Sequence, residues 1–352
     1  MSTIRVRVSP GTTGPDAANP YLNAIYSRMS AMGIEPVGWR ESSNATLFDI
    51  IHIHWPNLLL GSKPRGLSRA RGLAWLSYLR LMRRRGAKVV WTAHNLRPHR
   101  MVMTPREWDS IFERFTANVD GVVHLSQASV DIVNDAYPSL ERLPTGVIPH
   151  PHYLDVVDPA PEADRDAPLR ELLCVGRVQR YKELEAAVEA VGGLATRGVH
   201  LTVAGNSDEE QLKQELADRS GRNVRLDFRH VPDDELSVLA GRHDAILVPQ
   251  TNFLNSGVIF LALSLGRPAI VARTPVTQEL EKQFGSGWIR LFEPPLDPST
   301  LHEVLGITAG GRPDLRAIDP ARIAESHARF YERLTRSGHF CIGTSSDCPG
   351  GT

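Results

Sequence analysis

The stretch that decides the fold lies near the middle of the chain, where residues 172–184 read LLCVGRVQRYKEL. An apolar run typical of a buried strand ends at Gly176, and Lys182 follows where a helix is expected to begin. Ligands of parallel α/β sheets bind at the carboxyl ends of the strands, and helix N-termini attract phosphate. Arg177 and Lys182 at this place therefore suit a diphosphate. The alternative is that they are two ordinary surface cations with no ligand, which would have the same spacing.

The same alternation of apolar runs and helical patterns extends in both directions. Strands are predicted before this stretch at 4–8, 37–39, 47–54, 88–93, 121–125 and 146–149. Strands are predicted from it onward at 171–175, 199–204, 224–228, 245–249, 268–272 and 288–292. Such alternation predicts parallel sheets with helices on both faces. The predicted fold is therefore α/β, with two doubly wound Rossmann-like domains that face a cleft.

Length and charge distribution support a division into two domains. A chain of 352 residues exceeds the usual size of one domain. The net charge is zero overall, yet residues 1–150 hold 18 basic and 11 acidic side chains, whereas residues 151–352 hold 22 and 29. The two halves therefore carry opposite charge. We predict an N-terminal domain at residues 1–153, a linker at 154–168, a C-terminal domain at 169–318, a final helix at 319–336 and a mobile tail at 337–352.

A second motif follows the same plan. Residues 245–270 contain an apolar strand, a polar loop and an apolar helix that begins at Asn255-Ser256-Gly257 and ends at Gly266. The unpaired N–H groups at that helix start could hold the same phosphates, or Ser256 could be an ordinary N-cap on a core helix.

Together these motifs resemble the nucleotide-sugar domain of GT-B glycosyltransferases. The resemblance is carried by Gly176, Arg177 and Lys182, by the strand end Ala204-Gly205, and by the Gly-x-Pro-Ala-Ile that begins at Gly266. The pattern is most similar to glycosyltransferase family 4 and related enzymes that build polysaccharides and glycolipids. It covers residues 168–336 well and the first half more loosely. The resemblance implies a donor-binding C-terminal domain, an acceptor-binding N-terminal domain and a last helix that crosses back onto the first domain.

The resemblance also implies which residues meet the donor. Seven positions are expected to contact its base, sugar or diphosphate: Arg177, Lys182, Gly205, Val231, Asn255, Ser256 and Gly257. The chain departs from the family at two places around the second motif. Relatives carry two Glu residues eight positions apart, and Phe253 and Leu261 stand there instead. The second Glu takes the ribose hydroxyls in relatives, which Leu261 cannot do.

The first half holds the catalytic candidates. Residues 89–95 read VVWTAHN and resemble the strand-to-loop His of the acceptor domain. That His faces the reacting sugar in relatives, so His94 is the first catalytic candidate, with a His that merely caps a strand end as the alternative. Asp16, in the first loop, is a second candidate because an inverting enzyme needs a carboxylate or His base. Arg97, three residues beyond His94, is predicted to bind the acceptor.

Another strand ends in HIHWP at residues 52–56. Alternation puts His52 and His54 on one face, where they could bind the acceptor, hold zinc or serve only the structure. We place His52, His54 and Trp55 with the acceptor and predict no metal site, because no Cys or further ligand lies nearby. GT-B enzymes in general need no bound metal for their chemistry. The resemblance thus implies no cofactor beyond a nucleoside-diphosphate sugar as co-substrate.

A basic segment lies in the first half. No acidic residue lies between Asp49 and Glu107, and residues 50–106 hold twelve Lys or Arg. Residues 68–85 mix these with apolar positions at helical spacing, which predicts a cationic amphipathic helix. Such a helix could meet an anionic membrane surface, at about 1 kcal/mol for each basic residue, or could pack an apolar stripe into the core beneath a solvated Arg face. Nucleic acid is not an expected partner, because no aromatic-rich RNA module accompanies the charge.

These observations define an expected function. The three cysteines form no disulfide framework, and neither a signal peptide nor a membrane-spanning run is predicted. The expected location is the cytoplasm, at the inner face of the cell membrane if the basic helix docks there. The expected reaction is hexosyl transfer from a UDP- or GDP-sugar to a hydroxyl of a glycolipid or oligosaccharide, in polysaccharide or glycoconjugate biosynthesis. Two alternatives stay open: a sugar-nucleotide epimerase or hydrolase of the same fold, and a non-catalytic sugar- or lipid-binding module.

Overall fold

The computed structural model describes residues 3–11, 19–39, 41, 46–60, 65–98, 103–161, 168–306 and 311–336. Within these ranges the strands form two sheets of six parallel strands, one from each half of the chain. The predicted tail at 337–352 and residues 162–167 of the predicted linker lie outside the described residues.

The N-terminal sheet alternates strands with helices that cover both of its faces. Its elements are β1 (Ile4–Ser9), α1 (Pro20–Tyr26), β2 (Ile34–Gly38), β3 (Ile50–Ile53), α2 (Asn57–Leu60), α3 (Arg65–Arg84), β4 (Lys88–Thr92), α4 (Pro105–Thr116), β5 (Gly121–His124), α5 (Ala128–Ala136) and β6 (Thr145–Val147). The strand order is β2-β1-β3-β4-β5-β6, and each neighbouring pair is parallel. The order reverses between β1 and β3, so a crevice opens at their carboxyl ends.

The C-terminal sheet has the same plan. Its elements are β7 (Glu171–Val175), α6 (Leu184–Gly192), β8 (His200–Ala204), α7 (Glu210–Arg219), β9 (Val224–Asp227), α8 (Asp233–Gly241), β10 (Ala245–Val248), α9 (Gly257–Ser264), β11 (Ala269–Ala272), α10 (Pro275–Phe284), β12 (Ile289–Phe292) and α11 (Pro298–Glu303). The strand order is β12-β11-β10-β7-β8-β9. The order reverses between β7 and β10, and both motifs singled out in the sequence follow these two strands. The domain boundaries proposed from the sequence stay predictions.

The final helix, α12 (Pro320–Arg336), returns to the N-terminal sheet. Phe330, Tyr331 and Leu334 are buried in the same hydrophobic cluster as Val6 of β1. A Cβ at Gly146 of β6 would lie 3.0 Å from the Phe330 ring, so a glycine there lets the helix approach the sheet. The predicted crossing of the last helix onto the first half is confirmed.

Helices depart from the sequence-based expectations more than strands do. The sequence predicts that a helix begins at Lys182, but Lys182 ends a short turn and α6 begins only at Leu184. Glu183 separates the two because its backbone is left-handed, with φ of 54°. Helices α2 and α11 were not predicted, because four and six residues are too few to show a helical period.

The cationic amphipathic helix predicted at residues 68–85 corresponds to α3. Four of its apolar side chains are buried: Trp75, Leu76, Leu79 and Met82. Most of its arginines from Arg69 onward are exposed, as are Leu73 and Leu81. This arrangement fits the alternative in which a solvated Arg face covers a core-facing stripe. Among the helices of the described ranges, none is long and apolar enough to cross a membrane.

A hydrogen-bonded contact between α10 and α5 joins the two halves across the cleft. Glu279 of α10 accepts hydrogen bonds from the backbone N–H groups of Gln127 and Ala128, each 2.8 Å long, at the start of α5. A carboxylate at a helix N-terminus satisfies N–H groups that lack partners within the helix and interacts favourably with the helix dipole. We refer to this contact as the Glu279 clasp.

Candidate functional site

The site lies at the carboxyl edge of the C-terminal sheet, where β7 and β10 are neighbours. Gly205, directly after β8, shapes this edge. Its φ is 150°, and a Cβ at this position would lie 2.2 Å from the carbonyl oxygen of Gly176. Glycine alone lets the two strand ends approach this closely. Gly205 therefore shapes the backbone around Gly176, and its predicted contact with the donor stays a prediction.

Lys182 supplies the positive charge of the site. Its side chain is half-buried, and its ammonium group has no carboxylate partner within the described part of the chain. Burial lowers the pKa of Lys182 from 10.5 to about 8, while Cys174 opposes this shift and Arg177 adds to it. A buried cation without a counter-ion is unfavourable by itself and becomes favourable when an anion binds beside it.

Lys182 lines a cavity of about 340 Å³, which we refer to as the small cavity. Asn255, Ser256 and Gly257 line it as well, so the structure brings the two predicted motifs together. Gly257 is the first residue of α9. A Cβ there would lie 2.9 Å from the hydroxyl of Tyr153, another lining residue. The start of α9 therefore faces a space that also contains a buried cation, as a phosphate site requires.

Two further predicted donor residues are not at the cavity wall. Arg177 is exposed and forms an ion pair with Asp208. Val231 is buried in the hydrophobic core just before α8, whose Asp233 does line the small cavity. To reach the cavity, Arg177 would have to leave Asp208. The donor-binding roles of Arg177 and Val231 stay predictions.

A larger cavity of about 1140 Å³ opens between the two halves, and we refer to it as the large cavity. One wall comes from the first half and includes Arg97 and Tyr137, and the other includes Glu183 and Thr251. Tyr181 lines both cavities. Arg97 contacts both carboxylate oxygens of Asp109 at 2.9 Å. The large cavity therefore combines aromatic and charged side chains next to the small cavity.

His52 and His54 lie inside the N-terminal core. The Nδ1 atom of His52 is 2.5 Å from the Tyr331 hydroxyl and 2.8 Å from the Tyr26 hydroxyl, and its Nε2 is 2.7 Å from the Thr92 hydroxyl. The Nε2 of His54 is 2.7 Å from the same Tyr26 hydroxyl. These bonds occupy the ring nitrogens from within the protein. The arrangement fits the structural alternative, and acceptor contact by His52 or His54 stays a prediction.

His94 belongs to the same network. Its Nε2 lies 3.3 Å from Nδ1 of His54, and its ring stacks on Trp55 with 4.6 Å between the centroids. The ring also meets Tyr21 edge-on at 4.8 Å. Tyr21 follows Pro20, which lines the small cavity. His94 therefore contacts the residue next to Pro20 of the cavity wall and does not itself line the small cavity.

The network continues through His150, in the connection between the two sheets. Its ring lies 4.8 Å from that of Tyr21 and stacks on Phe260 of α9 at 4.6 Å. Its Nε2 is 3.2 Å from the Tyr153 hydroxyl at the small cavity. His327 of α12 lies at the far end, 5.8 Å from His52 between ring centroids. We refer to His52, His54, His94, His150 and His327 as the histidine cluster.

Burial keeps the histidine cluster uncharged. It lowers the pKa of His52, His54 and His94 well below 6.5, and charge on neighbouring histidines would lower those pKa values further. Burial also lowers the pKa of His150 and His327 to about 4. At pH 7 His94 is thus a neutral imidazole, able to accept or donate a hydrogen bond.

Two further predictions concern zinc binding by His52 and His54 and a catalytic base at Asp16. Across the ranges that the structure describes, no group of three or more His, Cys, Asp or Glu side chains is arranged to hold a metal ion. Within the described residues, no third side chain is placed to bind zinc together with His52 and His54. Asp16 lies outside the described residues, so its role as a base stays a prediction.

Sequence reasoning missed the tyrosines that complete the site. Tyr26 and Tyr331 bond to His52 although they are 305 residues apart, and Tyr153 and Tyr181 line the cavities. Tyr26 and Tyr331 lie on helices, where a tyrosine gives the same pattern as any core aromatic residue, and Tyr153 and Tyr181 lie in connections with no periodic pattern, so no signal distinguished them. Glu183 was missed as well, because no pattern reveals a left-handed backbone at a glutamate.

Comparisons with known proteins bear on both halves. Residues 170–305 match the family model described as glycosyl transferases group 1. Two curated relatives from Xanthomonas campestris pv. campestris are described as GDP-mannose:glycolipid 4-beta-D-mannosyltransferase. They are 27% and 26% identical to this chain over 344 residues, which cover 95% of this chain and 94% of each relative.

Solved structures share the fold. AviGT4, a glycosyltransferase involved in avilamycin A biosynthesis, has a TM-score of 0.57 at 16% identity, over 95% of this chain and 98% of that chain. Sucrose-phosphate synthase from Thermosynechococcus elongatus has a TM-score of 0.61 at 15% identity, over 95% and 94%. The family model, the curated relatives and the shared fold agree with the resemblance found in the sequence, and this chain is a glycosyltransferase with the GT-B fold.

Proposed function

We propose that the chain transfers a hexose from a GDP-sugar to a hydroxyl of a glycolipid, with GDP-mannose as the first candidate donor. The observation that carries the proposal is the buried, unpaired ammonium of Lys182 beside the first residues of α9 in the small cavity. A diphosphate would supply the missing counter-charge. The names of the Xanthomonas relatives supply the donor and acceptor classes, because their similarity extends over 95% of this chain.

The donor would occupy the small cavity with its diphosphate between Lys182 and the N–H groups at the start of α9. Asp233 would accept hydrogen bonds from the ribose hydroxyls, because it is the carboxylate among the described lining residues, and Leu261, which lines the same cavity, cannot do so. Lys182 would stabilise the charge that develops on the leaving diphosphate. Removing such a group typically costs about 2–4 kcal/mol of transition-state stabilisation.

The acceptor would occupy the large cavity, where Arg97, Tyr137 and Tyr181 offer a cation and two aromatic rings to a sugar. His94 is the catalytic candidate on this side of the cleft. The bond between His54 and His94 fixes the orientation of the His94 ring. Closure of the cleft would bring this neutral imidazole to the reacting sugar, where it can exchange a hydrogen bond with a hydroxyl.

A membrane-borne acceptor would explain the charge of the first half. A groove of about 210 Å³ separates α3 from α4, and its lining includes Leu73, Met103, Ile111, Arg69, Arg106 and Arg114. These arginines could meet anionic headgroups. Sedimentation with liposomes tests this part of the proposal. Vesicles with anionic lipid should retain the wild type at low salt, and the triple variant with Arg69, Arg106 and Arg114 changed to Gln should stay in solution. Equal retention of the two proteins would contradict it.

Binding and transfer test the central claim. Calorimetry with GDP, UDP, ADP and CDP should give the tightest binding for GDP. Incubation with GDP-mannose and a lipid-linked oligosaccharide should then yield a mannosylated lipid. Donor consumption without any acceptor would instead favour a hydrolase or epimerase. Absence of binding to every nucleotide would favour a non-catalytic module.

A further inference from the structure

Glu183 has a backbone conformation that its own side chain makes unfavourable. Its φ of 54° and ψ of 37° are left-handed, and in the described ranges the other residues with positive φ are glycines. A Cβ crowds the backbone in this region, whereas glycine adopts it without strain. A glutamate at such a position therefore indicates that its side chain has a task.

The carboxylate of Glu183 holds the loop between β10 and α9. It accepts hydrogen bonds from the Thr251 backbone N–H at 3.2 Å and from the Thr251 hydroxyl at 2.9 Å, and its second oxygen lies 3.1 Å from that hydroxyl. Lys182 directly precedes Glu183, and Asn255 follows Thr251 by four residues. One side chain thus connects the turn that carries the buried cation to the loop that leads into α9.

We infer that Glu183 is a positioning residue for the donor. Its bonds to Thr251 fix the separation between the Lys182 ammonium and the N–H groups at the start of α9. The inference rests on the proposed function, in which both groups hold one diphosphate. Groups that are already in place bind a ligand more tightly, because less conformational freedom is lost on binding.

The direction in which diphosphate affinity changes on removal of the Glu183 carboxylate distinguishes a positioning residue from one with no role in binding. A carboxylate next to a diphosphate site repels the anion, so its removal should strengthen binding if Glu183 has no other role. A positioning role predicts the opposite, because the loop becomes free to move away from Lys182. The two readings therefore differ in direction as well as in size.

The experiment is calorimetry of GDP binding to the full chain, with the thermal midpoint of each unliganded variant measured in parallel. Glu183→Gly and Glu183→Ala both remove the carboxylate, and the glycine also removes the backbone strain. We expect both to weaken GDP binding about tenfold, as for the loss of one or two hydrogen bonds. The midpoint of Glu183→Gly should equal or exceed that of Glu183→Ala. Glu183→Gln keeps an oxygen for Thr251 and should bind GDP at least as tightly as the wild type.

Two controls separate this inference from the proposed function. Glu189→Gln changes an exposed carboxylate of α6 that pairs with Arg219 and should leave GDP binding unchanged. Lys182→Met should abolish most of the binding. If Lys182→Met loses GDP but Glu183→Gly binds as tightly as the wild type or more tightly, the inference about Glu183 is overturned and the proposed function stands. If the wild type binds no nucleoside diphosphate, both are overturned.

Discussion

The buried ammonium of Lys182 predicts that affinity for a nucleoside diphosphate falls between pH 7 and pH 9. Burial lowers the pKa of this group to about 8 in the free protein, and a bound diphosphate favours the charged form. The affinity should therefore be nearly complete at pH 7 and should fall as the pH rises through the pKa of about 8. With a pKa of 8, the charged fraction is about 0.9 at pH 7 and about 0.1 at pH 9, so the dissociation constant should rise about tenfold.

The lowered pKa of Lys182 also shows how much its positive charge destabilises the folded, unliganded protein. Lowering the pKa of Lys182 from 10.5 to about 8 corresponds to about 3 kcal/mol against the folded state at neutral pH. Lys182→Met removes this cost. The variant should therefore unfold at a higher temperature than the wild type at pH 7, while it loses affinity for GDP. A change that stabilises the fold and abolishes binding is the expected signature of a buried charge that serves a ligand.

Calorimetric titrations with GDP from pH 6.5 to pH 9.5, at constant ionic strength, measure the effect. Lys182→Arg is the matched control, because its guanidinium stays charged over the whole range and its affinity should be constant. A wild-type affinity that is equally constant between pH 7 and pH 9 would refute the reasoning. So would a lower thermal midpoint for Lys182→Met at pH 7.

Four more results are expected elsewhere in the molecule. The free energy of unfolding, measured in urea, should fall by about 1 kcal/mol for each of His150 and His327 between pH 6.5 and pH 5.5, because these buried rings gain protons only in the unfolded state over this range. Tyr331→Phe removes the hydroxyl 2.5 Å from His52 and should cost about 1–2 kcal/mol of stability, with kcat lowered and the donor KM unchanged. Gly205→Ala places a Cβ against the Gly176 oxygen and should destabilise the protein by about 2–4 kcal/mol and weaken GDP binding. Glu279→Ala opens the Glu279 clasp and should increase the radius of gyration in solution scattering.

The fold was largely readable from the sequence, because strands in a covered parallel sheet are continuous apolar runs and their ends are polar. The strand from 171 to 175 has its predicted bounds, and Lys182 and Asn255 come together because β7 and β10 are neighbours. Their adjacency follows from the strand order, which a sheet of this class reverses at its binding crevice. Residues in the connections that follow β7 and β10 could therefore be predicted from the sequence to line the small cavity.

The histidines show where this kind of reasoning stops. Alternation correctly put His52 and His54 on one face, and their rings lie 4.2 Å apart. The face that carries His52 and His54 is covered by α12. Tyr331 of α12 bonds to His52, although the two residues are 279 positions apart in the sequence. Local pattern holds no information about such a distant partner. The environment of Arg177 was likewise set by Asp208, an ion pair that spacing within one motif could not reveal.

Two unfavourable features occur at neighbouring positions of one turn, and their coincidence is informative. Lys182 is a buried cation without a carboxylate partner in the described ranges, and Glu183 is a left-handed residue that is not glycine. Stability alone would favour a neutral side chain at the first position and glycine at the second. A structural role could explain either feature, but not why both lie where two strand ends open into a cavity. An anionic ligand explains both, because it neutralises Lys182 and needs the loop that Glu183 holds. Under the proposed function, the free energy that this turn costs in the unliganded protein would be recovered in the complex with the diphosphate and would contribute to binding.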